Sequence, residues 1–578
     1  MKTDSNAMDP ISKMMIEFLT KGDSLIIKKR SAPSPVPAFN LKNFEKQVQQ
    51  VIKKCYNASP LVYCLDSLGE TIAGFSAVVV DAQGHMLTAE HCIIPKTKGY
   101  KVIFPDGKTC TARVLGTIKK NDMAMMQINE AGPWHYAQMG WSSSLKEDMP
   151  YVAISYPGAN IYGEQPSIRL GYIVNADYRD KTRSDQIGTA PLQKGDSGGP
   201  NFDLQGRVIG IHSQLAGKGM SRNVPINLYR KYWTALLQAK QYPDFPAAQA
   251  FPDDDQARSL LVLPGIDRLS DAPQVQRALA KISKNLFKVA VKKGAIKETA
   301  ISAFLVDLTG LSSREKQKSY LLSKSSVLNE NPVVELAPGK TVKSRIIRRD
   351  KAIDLALLEL DEKIPGGIKP EQMEVTLQQK DLGSLLISPL PFKSNSVVGI
   401  LAHLPIEIPA TVGLYANLDN GKIIARQKDT TSRIRAANLQ KGDELLEVNG
   451  ASVHNFKDVQ REIFKYNTAD SITITFKRAA QQQRKKIALL ESLITDLSSE
   501  SIDQMFLEEQ GGRSTQSEGF QAIAIQDGRI HASECGGPVL GLDGRFFGIN
   551  IARASGTATL MLPATTVAAF LKTAFNKN

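Results

Sequence analysis

The chain has 578 residues, with 72 lysines and arginines against 58 acidic residues, 42% hydrophobic and 22% charged. That length calls for two to four domains rather than one core, and the composition is that of a globular protein. The surplus of +14 is spread along the chain without like-charged blocks, and the 7% of aromatic residues do not interleave with basic clusters, which argues against a nucleic-acid partner.

Residues 1–40 read as an N-terminal arm and linker: Ile11 to Leu19 suits a short amphipathic helix, and Ser31-Ala-Pro-Ser-Pro-Val-Pro37 favours extended backbone. Met1 to Arg30 lacks the uninterrupted apolar core and small-residue cleavage site of a secretory signal, and no run reaches the ~20 apolar residues that span a bilayer. The expectation is therefore a cytoplasmic protein, the alternative being export by a non-Sec route, including into a host cell. Five cysteines, an odd number, agree with a reducing compartment.

From 41 to 241 short apolar strands alternate with Gly, Asp and Asn turns, the pattern of all-β barrels, and a helical stretch at Asn227 to Gln241 closes the segment. Three stretches in it carry chemistry. Thr88-Ala89-Glu90-His91-Cys92 follows a strand-turn-strand pattern, Asp122 heads the apolar run Met123 to Ile128, and Gly195-Asp196-Ser197-Gly198-Gly199-Pro200 precedes the strand Val208 to Ile211. A serine hydroxyl is a weak nucleophile at neutral pH and needs both a base and donors for the developing oxyanion. Glycines at 195 and 198 let the backbone turn so that the N–H groups of Gly195 and Ser197 point at one oxygen position.

His91, Asp122 and Ser197, in that order, resemble the trypsin-fold serine proteases, and the Asp81-Ala-Gln-Gly84 turn is most similar to their HtrA/Deg branch. The resemblance implies a double β-barrel in which Ser197 is the nucleophile, His91 the base and Asp122 the residue that orients it. It also implies an oxyanion hole at Gly195 and Ser197, support of Asp122 by Ser213, and an S1 floor flanked by Pro191 and Leu192. With no acid at that floor, a small aliphatic residue suits S1 better than Lys or Arg. Cys92 is expected to be a free thiol. Asp196 departs from the HtrA pattern, which usually has Asn there. In trypsins that aspartate pairs with an N-terminus freed by cleavage, but no Ile-Val-Gly-Gly start precedes residue 75. It needs another partner, or the loop is ordered some other way, for example allosterically. No Cys/His cluster has metal-ligand spacing, so neither metal nor cofactor is expected.

Residues 242–284 read as linker and helix, after which the chain repeats itself. Aligning Ser197 with Cys535 matches 197–212 to 535–550 without a gap and with eight identities in sixteen. Ser326 then falls on His91, Asp354 on Asp122, Ser533 on Gly195 and Ile551 on Ser213, so the second copy (285–408 plus 491–578) reads as a degenerate trypsin-like domain. Its thiol, without a base, should stay near the free pKa of about 8.5. Acid and nucleophile are 75 residues apart in the first copy and 181 in the second, an excess of 106. The extra sequence, placed at 409–490, resembles an HtrA-type PDZ domain, with Val412, Gly413 and Leu414 as its carboxylate-binding loop. A C-terminal peptide ligand and a purely structural spacer are both open.

The expected fold is thus mainly β, two tandem trypsin-like double barrels with a PDZ inserted in the second. The expected function is an ATP-independent serine endopeptidase acting on unfolded or extended polypeptides. The alternative is a peptide-binding scaffold or holdase built on protease folds. The resemblance also implies homo-oligomers, commonly trimers, although a duplicated chain could supply that interface internally.

Overall fold

The computed structural model describes residues 39–575 apart from 159–162, 253–259, 292–299, 310–317, 409–413, 490–511 and single residues or runs of up to three elsewhere. The arm with its helix at 11–19, and nearly all of the helix expected at 489–509, lie outside the described residues.

The first element corrects the sequence reading, which placed barrel strands from residue 41. Leu41–Cys55 is a helix, capped by the Asn40 side chain, which accepts from the N–H groups of Lys42 and Asn43 at 3.0 and 3.2 Å. Leu41, Phe44, Val48, Val51, Ile52 and Cys55 recur at helical spacing and are all buried. The helix joins the two halves of the chain: Lys54 Nζ and Cys55 Sγ donate to the carbonyls of Gln205 and Gly206, while Glu45 Oε1 accepts from the Leu385 N–H at 2.7 Å.

The first sheet runs Thr71–Ser76, Leu61–Leu65, Gly99–Ile103, Thr109–Ile118, Met123–Ile128, His85–Thr88, Val78–Val79. Its two ends are separated only by Ala77, so it curls almost into a barrel without pairing shut. Pro150–Ser155, Ser167–Arg179, Ser184–Gly188, Pro200–Phe202, Val208–Leu215 and Ser221–Pro225 form a closed second barrel. The expected terminal helix at 227–241 is two short helices, Ile226–Lys231 and Trp233–Leu236, broken at Tyr232, whose φ of −117° and ψ of 19° are not helical.

The repeat returns as two closed six-stranded barrels. One is built from Leu286–Ala290, Ala300–Val306, Ser319–Lys324, Val333–Ala337, Lys340–Asp350 and Leu355–Leu360. The other is built from Leu385–Pro389, Ser396–Ile408, Phe520–Gln526, Pro538–Gly541, Phe546–Ser555 and Ala558–Pro563. Ile408 pairs with Phe520 in that last barrel, so everything between them is an insertion into one hairpin. The insertion folds on its own core as a six-stranded sheet with the helix Phe456–Ile463. The stretch 242–284 is no free tether, because the helix Pro273–Ile282 buries Val275, Ala278, Leu279 and Ile282 in the large core common to both halves.

Candidate active site

His91 lies in the 3₁₀ turn Glu90–Cys92 just after the strand His85–Thr88, and Asp122 caps the turn Lys119–Asn121 at the head of Met123–Ile128. Asp122 is left-handed, with φ 59° and ψ 48°, a conformation aspartate tolerates better than most residues. That turn aims its carboxylate at His91: Oδ1 accepts from the His91 backbone N–H at 2.9 Å, and the ring Nδ1 sits 2.9 and 3.0 Å from Oδ2 and Oδ1. Ser213, from the second barrel, donates its hydroxyl to Asp122 Oδ2. The carboxylate is buried, which alone would raise its pKa, but His91 and Ser213 outweigh burial and hold it below the usual range. Burial likewise opposes charge on the His91 ring, and the hydrogen bond to Asp122 overcomes it, raising the imidazole pKa above its ordinary value of 6.5.

Ser197 sits on the loop between the second barrel's strands, held by its carbonyl accepting from the Ser76 N–H at 3.0 Å and by Gly198 N–H donating to the His212 carbonyl at 2.8 Å. Gly198 has φ 84°, and a Cβ there would lie 1.9 Å from Thr88 Oγ1 and 2.1 Å from the Ser76 carbonyl, so no other residue fits. The Lys194 carbonyl accepts from Gly158 N–H at 2.6 Å. Because the peptide is trans, the Gly195 N–H points the opposite way. Neither Gly195 N–H nor Ser197 N–H donates within the described chain. His91 makes no hydrogen bond to Ser197 among the described residues; catalytic bonds of this kind often tighten only with substrate in place.

Asp196 has its partner in Arg169. The two are fully buried and joined bidentately, Nη1 to Oδ2 at 2.8 Å and Nη2 to Oδ1 at 2.6 Å, with Ser155 Oγ donating to Oδ1 and Gln193 N–H to Oδ2. An arginine within the chain therefore fills the role that the sequence reading could give to no residue. It lies 27 residues upstream on the strand Ser167–Arg179, and nothing local to the motif announces it. Removing one partner of such a pair leaves an unpaired buried charge, at a cost of about 3–5 kcal/mol. Arg169→Met is expected to lower the chemical unfolding midpoint and to slow covalent trapping of Ser197, with Arg169→Met/Asp196→Asn regaining midpoint but not trapping rate. An unchanged trapping rate in Arg169→Met would show that the pair does not order the loop.

Pro191 and Leu192 are buried. Cys92 is a buried free thiol, as are the other four cysteines. His85 pairs with Asp81 at 2.6 Å, His135 reaches the Lys54 carbonyl, and His212 is buried on its strand against Asn223. Val412 and Gly413 lie outside the described residues, while Leu414 packs against the core of the inserted domain.

The second copy repeats the backbone arrangement with other side chains in the places of His91 and Ser197. The Cys535 carbonyl accepts from Ser302 N–H at 3.0 Å, Gly536 N–H donates to Asn550, and Asp354 is left-handed at φ 55°, each matching its counterpart around Ser197 and Asp122. Ser326 N–H and Oγ bond to Asp354 at 2.6 and 3.0 Å, in the place of His91. The buried ammonium of Lys324, in the position of Ala89, pairs with Asp354 and also donates to the Ile551 and Gln516 carbonyls. Cys535 is wholly buried, which pushes its thiol up to about 11. Ser514 covers it, with N–H to the Arg553 carbonyl at 2.9 Å and Oγ 3.9 Å from Cys535 Sγ, so Ser514, on the segment returning from the insertion, lies at the second cleft. Val397 stands where Arg169 stands, since it faces Ser388, one residue beyond the Ile387 that pairs with Leu540, as Arg169 faces Ala153, one residue beyond the Val152 that pairs with the equivalent Phe202. Glu534, in place of Asp196, turns instead to Lys393 and the His531 N–H.

Residues 75–211 match the model of the trypsin-like peptidase domain. A relative named "Probable periplasmic serine endoprotease DegP-like" from Hahella chejuensis is 24% identical over 335 residues, 53% of this chain and 63% of its own length. One of the same name from Bartonella henselae is 31% identical over 147 residues, 25% of this chain and 28% of its own. "Serine protease HTRA1" of Xenopus tropicalis is 30% identical over 167 residues, 28% of this chain and 35% of its own. The chain thus spans less than two thirds of these relatives. Two of them are named periplasmic, which overturns the expectation of a cytoplasmic protein; the lack of a recognisable signal in the first thirty residues was too weak a ground for it. Residues 75–211 thus match a trypsin-like peptidase domain, and the chain is similar to HtrA/Deg serine proteases.

Proposed function

We propose that the chain is an ATP-independent serine endopeptidase that cleaves unfolded or extended polypeptides through an acyl-enzyme. The observation that carries this is the His91–Asp122–Ser213 cluster beside a nucleophile loop clamped by Arg169–Asp196. Ser197 attacks the scissile carbonyl as His91 takes its proton and then returns it to the leaving amine. Asp122 fixes the tautomer that leaves Nε2 free and stabilises the imidazolium. Gly195 and Ser197 N–H groups receive the oxyanion. Water repeats the sequence to release the acid. The periplasmic names of the relatives support an exported protein whose substrates are polypeptides met there.

The second double barrel serves as a pseudoprotease: its acid is neutralised by Lys324 and its cleft is lined by its own Ser514. That filled cleft speaks against peptide capture there. The inserted sheet and helix are read as a PDZ domain, whose ligand would be a peptide C-terminus adding a strand to the sheet edge. The test is turnover of a chemically denatured protein by the whole chain in the absence of ATP. Fragments from the parent chain and none from Ser197→Ala are expected; no fragments from either overturns the endopeptidase reading.

A further inference from the structure

The turn Asp527-Gly528-Arg529 of the second half reaches into the first half at two points. Asp527 Oδ2 accepts from the Leu170 N–H at 2.7 Å, while its Oδ1 accepts from the Ile400 N–H at 2.6 Å. Leu170 and Ile400 lie two positions apart on the equivalent strands of the two repeats, Leu170 matching Val398 and Ile400 matching Tyr172, so one carboxylate ties these two strands together. Leu170 directly follows Arg169, the residue that holds Asp196 and with it the loop of Ser197. Arg529 Nη2 donates to the Thr189 carbonyl at 2.7 Å and the Gly219 carbonyl at 2.8 Å. Thr189 lies two residues before Pro191, at the expected S1 floor, and Gly219 in the hairpin after Ser213, so one guanidinium bridges the S1 run and that hairpin. Its Nη1 lies within 2.9 Å of where a Gly219 side chain would begin, so the contact leaves no slack. Beside the turn a cavity of about 560 Å³ opens, with Pro191 and Met220 on one side and Val397 on the other. Directional hydrogen bonds therefore add to the packing of Leu170, Tyr172 and Val398 on this side.

We infer that Asp527 and Arg529 are positioning residues for the first half's active site, through which the second half holds the Ser197 loop and the expected S1 floor in working geometry. This rests on the endopeptidase reading. Misplacement of reacting groups by about 1 Å costs around a hundredfold in rate, so loss of either tie should register in turnover well before it unfolds the domain. In Asp527→Asn the amide offers one acceptor and one donor, so either Leu170 N–H or Ile400 N–H faces another donor. Lysine at 529 keeps a cation with three donors that can still reach both carbonyls.

The experiment uses the full chain and counts functional sites with a fluorophosphonate, then measures kcat/KM per counted site on short peptide esters with small and large aliphatic P1 residues. Arg529→Ala and Asp527→Asn are expected to lower kcat/KM per counted site by about ten- to a hundredfold. Arg529→Ala is also expected to change the ratio between the two P1 residues, and Arg529→Lys to restore most of both. Variants that lose only counted sites, with kcat/KM per site and the P1 ratio unchanged, show a merely structural role and overturn the inference. A parent chain that is not labelled overturns the endopeptidase reading and the inference with it; a labelled parent with unaltered variants overturns the inference alone.

Discussion

Ser197→Ala is expected to abolish labelling by a fluorophosphonate and to lower kcat by about a million-fold, while Cys535→Ala leaves both at the parent level. The probe reacts only with a serine whose proton is taken by a base and whose oxyanion is received by donors. In the first half all three parts are in one place: His91 on Asp122, Ser197 on a pinned loop, and two N–H groups with no other hydrogen-bond acceptor among the described residues. In the second half none is. The place of the base holds Ser326, the acid is paired with Lys324, and Cys535 is buried with its thiol raised by desolvation to about 11, so almost none is thiolate at neutral pH. Labelling that survives Ser197→Ala, or that disappears with Cys535→Ala, would move the nucleophile out of the first half and break this assignment.

What the sequence revealed and what it hid divide along a physical line. Features fixed by local backbone geometry were legible: His91 after a strand-turn-strand pattern, Asp122 at the head of an apolar strand, and the glycines at 195 and 198 that turn the backbone beside Ser197. The repeat was legible for the same reason, because GGP and the strand after it must adopt one backbone path in both halves. Partners chosen across space were not. Arg169 meets Asp196 only because a barrel strand faces the loop that carries Ser197, and Lys324 meets Asp354 only because its strand pairs with the one that Asp354 precedes. The opening helix was within reach: Leu41, Phe44, Val48, Val51, Ile52 and Cys55 follow the period of a helix, and Asn40 is a cap. Reading the domain as strands from its first residue passed over that period. The tie between halves through Asp527 and Arg529 had no sequence signal at all, since a polar turn between strands looks the same whether it faces water or another domain.

Asp122→Asn is expected to lower kcat about ten-thousandfold and to move the acid limb of the pH profile of kcat/KM to lower pH. The Asp122 carboxylate accepts from three donors at once: the backbone N–H and ring Nδ1 of His91, and the Ser213 hydroxyl. An amide in its place has one acceptor and one donor, so the ring is driven to the tautomer that places its proton on Nε2, where Ser197 needs a vacant lone pair. The pH effect has a definite sign. His91 works as a base only when neutral, so kcat/KM rises as pH rises through its pKa. In the parent chain burial lowers that pKa and the hydrogen bond to Asp122 raises it by more, placing the limb above pH 6.5. Without the carboxylate desolvation is opposed only by Cys92, and the pKa falls, carrying the limb toward acid. Measured with a peptide ester from about pH 5 to 10, a range that brackets the usual titration of histidine, a limb that shifts toward alkali, or a kcat within tenfold of the parent, would mean that Asp122 is not what sets the charge and orientation of His91.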